Sequence, residues 1–128
     1  MAALIDRRRH PRFLMPSAYT GAAVRRMAEH AMEDRFCREG HVLDLSEGGV
    51  RLEIDEPIAP GERVAVRVDL PAPGGEQRPL YAIGNVIWLD IASMGSSEVA
   101  VVFTTLCEEG DLERLRSHLS GGAYIRAA

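Results

Sequence analysis

Two short patterns carry most of the chemistry this chain can offer. The first is Arg8-Arg9-His10-Pro11-Arg12, an RxxxR flanked by Arg7. The second is Asp44-Leu45-Ser46-Glu47-Gly48-Gly49, a DxSxxG. A guanidinium is a planar fork of donors, able to grip a phosphate or the O6/N7 edge of guanine and to stack on a base. Residues 1–12 carry four arginines against Asp6, a net +3, while the whole chain is at -4, so the remainder sums to -7. A basic arm on an acidic body suggests an arm that meets an anion. Read alone, each pattern is weak. A bare Arg run is also what a solvated terminus looks like, and Asp and Ser in DxSxxG serve equally well to satisfy the local amides of a turn.

Composition narrows the classes. At 128 residues, 46% hydrophobic and 27% charged, the chain fits one ordinary globular domain. All 15 basic residues are arginine. Cys37 and Cys107 form no CxxC pair, and His10, His30, His41 and His118 lack metal-ligand spacing, so neither a disulfide framework nor a metal site is expected. Met1–Ile5 meets Asp6 and the arginines too soon for a signal-peptide core, and no apolar run nears the roughly 20 residues of a membrane helix. The expected location is the cytoplasm. Absence of a Ser/His/Asp arrangement, a P-loop or a clustered carboxylate pair argues against an enzyme. The acidic balance, with no aromatics interleaved among the arginines, argues against a nucleic-acid polymer as partner.

The elements that must position the two motifs follow from periodicity. Residues 1–18 read as an irregular, flexible arm, since Pro11 and Pro16 keep it out of regular structure. Tyr19–Arg35 reads two ways. Val24, Met27, Ala28, Ala31 and Met32 have helical spacing, favouring a helix over 22–33, yet Tyr19–Val24 also reads as a first strand. His41–Leu45 predicts a short strand, and Ser46–Gly49 a turn whose glycines are available for positive φ. Val50, Leu52 and Ile54, then Val64, Val66, Val68 and Leu70, alternate with polar residues as half-buried strands. A Pro/Gly-rich hairpin loop over 71–79 leads to a strand over Leu80–Leu89, a turn over Asp90–Ser97 and a last strand over Glu98–Thr104. Leu112, Leu115 and Leu119 predict one apolar face on a terminal helix, with Glu108, Glu109 and Asp111 near its N-terminus and Ser120-Gly121-Gly122 at its end. Such a helix can also serve a homodimer. Five or six short strands and one helix read as a mainly β fold, a small antiparallel barrel spanning residues 19–120, with a tail over 121–128.

With RxxxR and DxSxxG in this order, and Gly84-Asn85-Val86-Ile87-Trp88 following as G-x-x-x-W, the chain resembles the PilZ domain family from Arg7 to about Phe103. The resemblance implies a six-stranded antiparallel barrel that acts as a bacterial receptor for cyclic di-GMP, without cofactor or catalysis. It implies that Arg8 and Arg12 clamp phosphate and guanine, and that Asp44 and Ser46 read the other guanine edge. Gly49 would let the ligand approach the backbone. Arg7, Arg9 and Arg51 stand as additional candidates. Guanine offers donors at N1 and N2 for the Asp44 carboxylate, and the Ser46 hydroxyl can donate or accept beside it. Ligand would then tie the mobile arm to the barrel, creating a surface for a downstream protein. Two departures stand out: the long helix-like stretch between Arg12 and Asp44, and Ala100 where a glycine is common. The alternative is a degenerate PilZ-like adaptor that binds proteins and no nucleotide. Trp88, closing an alternating strand, is expected in the core.

Overall fold

A computed structural model describes residues 13–14, 20–27, 33–71, 77–91, 96–120 and 125–126. Its strands are β1 (Phe13–Leu14), β2 (Gly21–Arg26), β3 (Arg38–Ser46), β4 (Gly49–Ile54), β5 (Arg63–Pro71), β6 (Gln77–Ile91) and β7 (Ser97–Leu106), followed by helix α1 (Asp111–Ser120) and β8 (Ile125–Arg126). The sheet runs β2-β5-β6-β7-β4-β3, every neighbour antiparallel, and β3 pairs back onto β2. That last pairing closes a six-stranded barrel, so neither β2 nor β3 is left as a bare edge.

Alternation fills the barrel as the sequence predicts. Val50, Leu52 and Ile54 of β4 and Val64, Val66, Val68 and Leu70 of β5 point into one core with Val42, Leu45, Leu80, Val86, Val99 and Val101. Helix α1 packs on this core through Leu115 and Leu119. Leu112 departs from the expected apolar face and lies exposed; the buried stripe is Asp111, Leu115 and Leu119, spaced strictly i, i+4. Arg114 sits 3.4 Å from the Asp111 carboxylate and donates to the Arg78 and Pro79 carbonyls on β6.

Tertiary context decides the ambiguous stretch. Gly21–Arg26 is strand, not the start of a helix, because it is flanked by β3 on one side and β5 on the other. Both sides of its backbone are thereby satisfied, and Ala22 and Val24 reach the core. Helical periodicity over 24–32 drew on residues beyond Met27, of which Ala28, Ala31 and Met32 lie outside the described ones. The hairpin loop is also shorter than expected, since Gln77–Pro79 already pair with Asp69–Pro71.

An ionic clip holds the chain where β2 ends. The Glu33 carboxylate accepts from the Arg26 amide at 2.8 Å and from the nearly buried Arg38 guanidinium. Arg26 Nε in turn donates to Glu62 at 2.7 Å. Burial pushes the Glu33 carboxyl up, but the Arg38 and Arg26 bonds and the Arg38 charge outweigh it, and the net shift is downward. A depressed carboxylate pKa adds stability above the unfolded value and loses it as pH falls through the folded one. Glu33→Gln is therefore expected to cost about 2 kcal/mol at pH 7, the cost of leaving Arg38 poorly paired. In urea unfolding the gap from wild type should shrink as the pH drops below the ordinary value of 4.5. A gap that stayed constant down to pH 3 would assign the loss to packing.

Candidate functional site

The DxSxxG residues occupy the β3–β4 hairpin. Ser46 pairs with Gly49 across it, and the Ser46 hydroxyl lies 3.2 Å from the Gly48 amide, whose hydrogen bond it accepts. It also donates a longer bond to the Gly49 carbonyl, at 3.4 Å. Ser46 is thus a turn-former as well as a candidate ligand contact. Positive φ plays no part here: among the described glycines it belongs to Gly61 and Gly110, not to Gly48 or Gly49. What demands glycine at 49 is β7, because a Cβ there would stand 2.4 Å from the Val101 carbonyl oxygen. The barrel needs that residue small whether or not a ligand approaches it.

Asp44 reaches the outer face of the barrel through a bulge. Register shifts by one between Val42 and Asp44, with Leu43 as the extra residue. Val42 and Leu45 point into the core, so Asp44 and Ser46 point out. Without the bulge, Val42 and Asp44 would share a face; one inserted residue turns Asp44 around. Asp44 is only 4% exposed, and its carboxylate faces Arg51, its cross-strand partner, with Arg51 Nε 2.9 Å from Oδ2. This is an ion pair without an aligned Nε hydrogen bond. Arg51 also lies 3.9 Å from Glu98 on β7. Arg51 is therefore not free: partly exposed, it is held against Asp44.

The hairpin is flanked by chain from both ends of the sequence. Phe13 pairs with Leu45 and Leu14 with Asp44, so β1 lies directly beside the motif. β8 lies on the other side of β1, with Ile125 opposite Leu14. Glu47, inside the motif, is bound by Arg116 of α1 at 2.6 Å. Arg7, Arg8, Arg9 and Arg12 lie outside the described residues; Phe13, the chain neighbour of Arg12, is described.

Trp88 corrects the expectation of a core residue. It is 42% exposed, on the outer face. The cause is a second bulge, between Val86 and Trp88, with Ile87 as the extra residue. Val86 stays in the core while Trp88 is turned out. A bulge is invisible to an alternation count, so the sequence offered no sign of it. No group of three His, Cys, Asp or Glu among the described residues could hold a metal ion. No described helix is long and apolar enough to cross a membrane.

The family model described as PilZ domain matches residues 6–121. This chain belongs to the PilZ domain family. Its barrel is similar to the PilZ domain with c-di-GMP of YcgR from Escherichia coli, at 17% identity and a TM-score of 0.61, covering 87% of each chain. It is also similar to the Bacillus subtilis inhibitor of motility MotI/DgrA, at 15% identity and TM-score 0.62, and to MrkH of K. pneumonia in its c-di-GMP complex, at 18% and 0.58. This chain is 90% covered in both comparisons, but spans only 50% of the first protein and 52% of the second. At these identities the likeness is one of fold. No curated protein matches the chain significantly.

Proposed function

We propose that this chain is a cyclic di-GMP receptor with a site split between the Arg7–Arg12 arm and the Asp44–Gly49 hairpin. One observation carries the reading. β1 pairs with the first two residues of DxSxxG, so Arg12 is bonded to a residue, Phe13, that stands opposite Leu45, one Cα–Cα step of about 3.8 Å away. That puts the chain just after RxxxR beside DxSxxG, which supports a site drawn from both motifs. Arg8 and Arg12 take phosphate and guanine, Asp44 accepts from guanine N1 and N2, and Ser46 bonds beside it.

Binding proceeds by exchange of partners. Guanine donors take over the Asp44 carboxylate, and Arg51, released, turns to a ligand phosphate. No charge is left unpaired at either end of the exchange, which avoids the cost of a lone buried carboxylate. Fixing each further arm residue costs roughly 1–2 kcal/mol, offset by charge-assisted bonds at about 1.5–3 kcal/mol each. The ordered arm then presents a new surface to a partner protein. The output is of the motility, biofilm or exopolysaccharide type, in a bacterial cytoplasm; an inhibitor of motility among the structural neighbours supports the first of these. The role is that of a binding module without catalysis.

Calorimetric titration with cyclic di-GMP tests this directly. A one-site or two-site isotherm in the micromolar range or tighter is expected. Folded protein giving no heat at high micromolar ligand would discard the reading in favour of an adaptor that binds proteins only.

A further inference from the structure

Both acids of DxSxxG are answered by an arginine from another element. Asp44 faces Arg51 of β4 at 2.9 Å, and the Glu47 carboxylate accepts from Arg116 Nε of α1 at 2.6 Å, across 69 residues of sequence. The second pair is not what holds the two elements in place. Helix α1 is already fixed by Leu115 and Leu119 in the core and by the bonds from Arg114 to the Arg78 and Pro79 carbonyls. The hairpin tip is fixed as well, since the Gly48 carbonyl accepts from the Phe103 amide at 2.8 Å and Ser46 pairs with Gly49. What Arg116 changes is charge. Glu47 follows Ser46 by one Cα–Cα step, about 3.8 Å, so its distance from an anion held at Ser46 is on the order of the 10 Å screening length in 0.1 M salt. Its side chain is 25% exposed, which leaves its charge less screened than that of a free surface acid.

An uncompensated acid at that place would repel both phosphates of the ligand. We propose that Arg116 sets the affinity of the hairpin for its dianionic ligand by neutralising Glu47, so that a residue of α1 governs a site it does not form. The inference rests on the receptor reading above and adds a control element to it. Arg116 acts through Glu47 and needs no contact with the nucleotide. It lies on a helix, so the neutralisation holds only while α1 rests against the hairpin. Docking of the helix and binding of the ligand therefore favour each other, and whatever draws α1 away weakens the site. Glu113, 3.4 Å from Arg116 on the same helix, shares the cation and limits how fully it cancels Glu47.

The two partners of this pair should shift affinity in opposite directions, which a purely structural bridge would not do. In calorimetric titrations of the full chain with cyclic di-GMP, Arg116→Gln should weaken binding by about three- to fivefold, and Glu47→Gln should tighten it by a similar factor. The double variant, which removes no net charge, should return close to wild type. Arg116→Lys, which keeps the charge and gives up the fork, should recover most of the affinity lost in Arg116→Gln. Both single shifts should shrink by at least about half, on a logarithmic scale, when salt rises from about 0.05 to 0.5 M. Thermal melts identify any variant that has failed to fold. If both folded single variants weaken binding, the pair is a structural latch and the charge role is wrong; if either leaves affinity unchanged, the charge role is equally wrong, and in both cases the receptor reading survives. Loss of binding in the wild type itself would remove both.

Discussion

Asp44→Ala should weaken cyclic di-GMP binding by at least about 100-fold, the loss of two charge-assisted hydrogen bonds from guanine. The barrel should remain folded. Asp44 lies on the outer face, and its loss opens no cavity among the core side chains. Arg51, which it holds at 2.9 Å, is about a third exposed and keeps Glu98 nearby. The charge left behind is the partly exposed guanidinium, which water and Glu98 can take up, so the loss should be about 1–2 kcal/mol. A large drop in affinity with a small drop in melting temperature is thus the signature to look for. Asp44→Asn, which retains one acceptor and the shape but not the charge, should fall between the two. Arg12→Ala should match Asp44→Ala, because each removes one half of the proposed split site. Two variants that bound like wild type would move the site elsewhere on the barrel.

The largest effect on stability is expected from Gly40→Ala. Gly40 pairs with Ala22 on one side and Ile54 on the other, at the point where β3 closes the barrel. A Cβ there would come within 1.8 Å of the Glu53 carbonyl oxygen, which is backbone and cannot swing aside. β3 and β4 would have to part by more than an ångström. Overpacking of this kind costs about 3 kcal/mol or more, and the melting temperature should fall by about 10 °C. Gly61→Ala is the contrast: nothing lies within 4 Å, and only its φ of +92° is strained, so it should cost about 1 kcal/mol. Thermal denaturation of the two variants side by side checks both. Equal losses would mean that backbone conformation, not the strand approach, decides at Gly40.

Where alternation was unbroken, the fold could be read from the chain. β4 and β5 stand where Val50–Ile54 and Val64–Leu70 put them, and the closed antiparallel barrel with its terminal helix is the predicted fold. Three features lay beyond such a reading, each for a physical reason. β2 is strand because β3 and β5 claim its backbone, a choice made by neighbours distant in sequence. Trp88 faces outward because of one inserted residue, Ile87, that no residue type announces. Leu112 is exposed because the buried stripe of α1 runs through Asp111, a residue whose charge disguises its place. Asp44, Ser46 and Gly49 were legible as a motif. What could not be read was the present occupation of Asp44 by Arg51, and that Gly49 answers to the Val101 carbonyl.

The most direct measurement is an amide correlation spectrum of the isotopically labelled chain, recorded with and without cyclic di-GMP. A split site on the outer face predicts shifts at Asp44–Gly49, Arg51 and Ala100 together with the amides of Arg7–Arg12, and little change at the buried core of β5. A spectrum unchanged at saturating ligand, or changes confined to α1 and the β5–β6 end of the barrel, would contradict it.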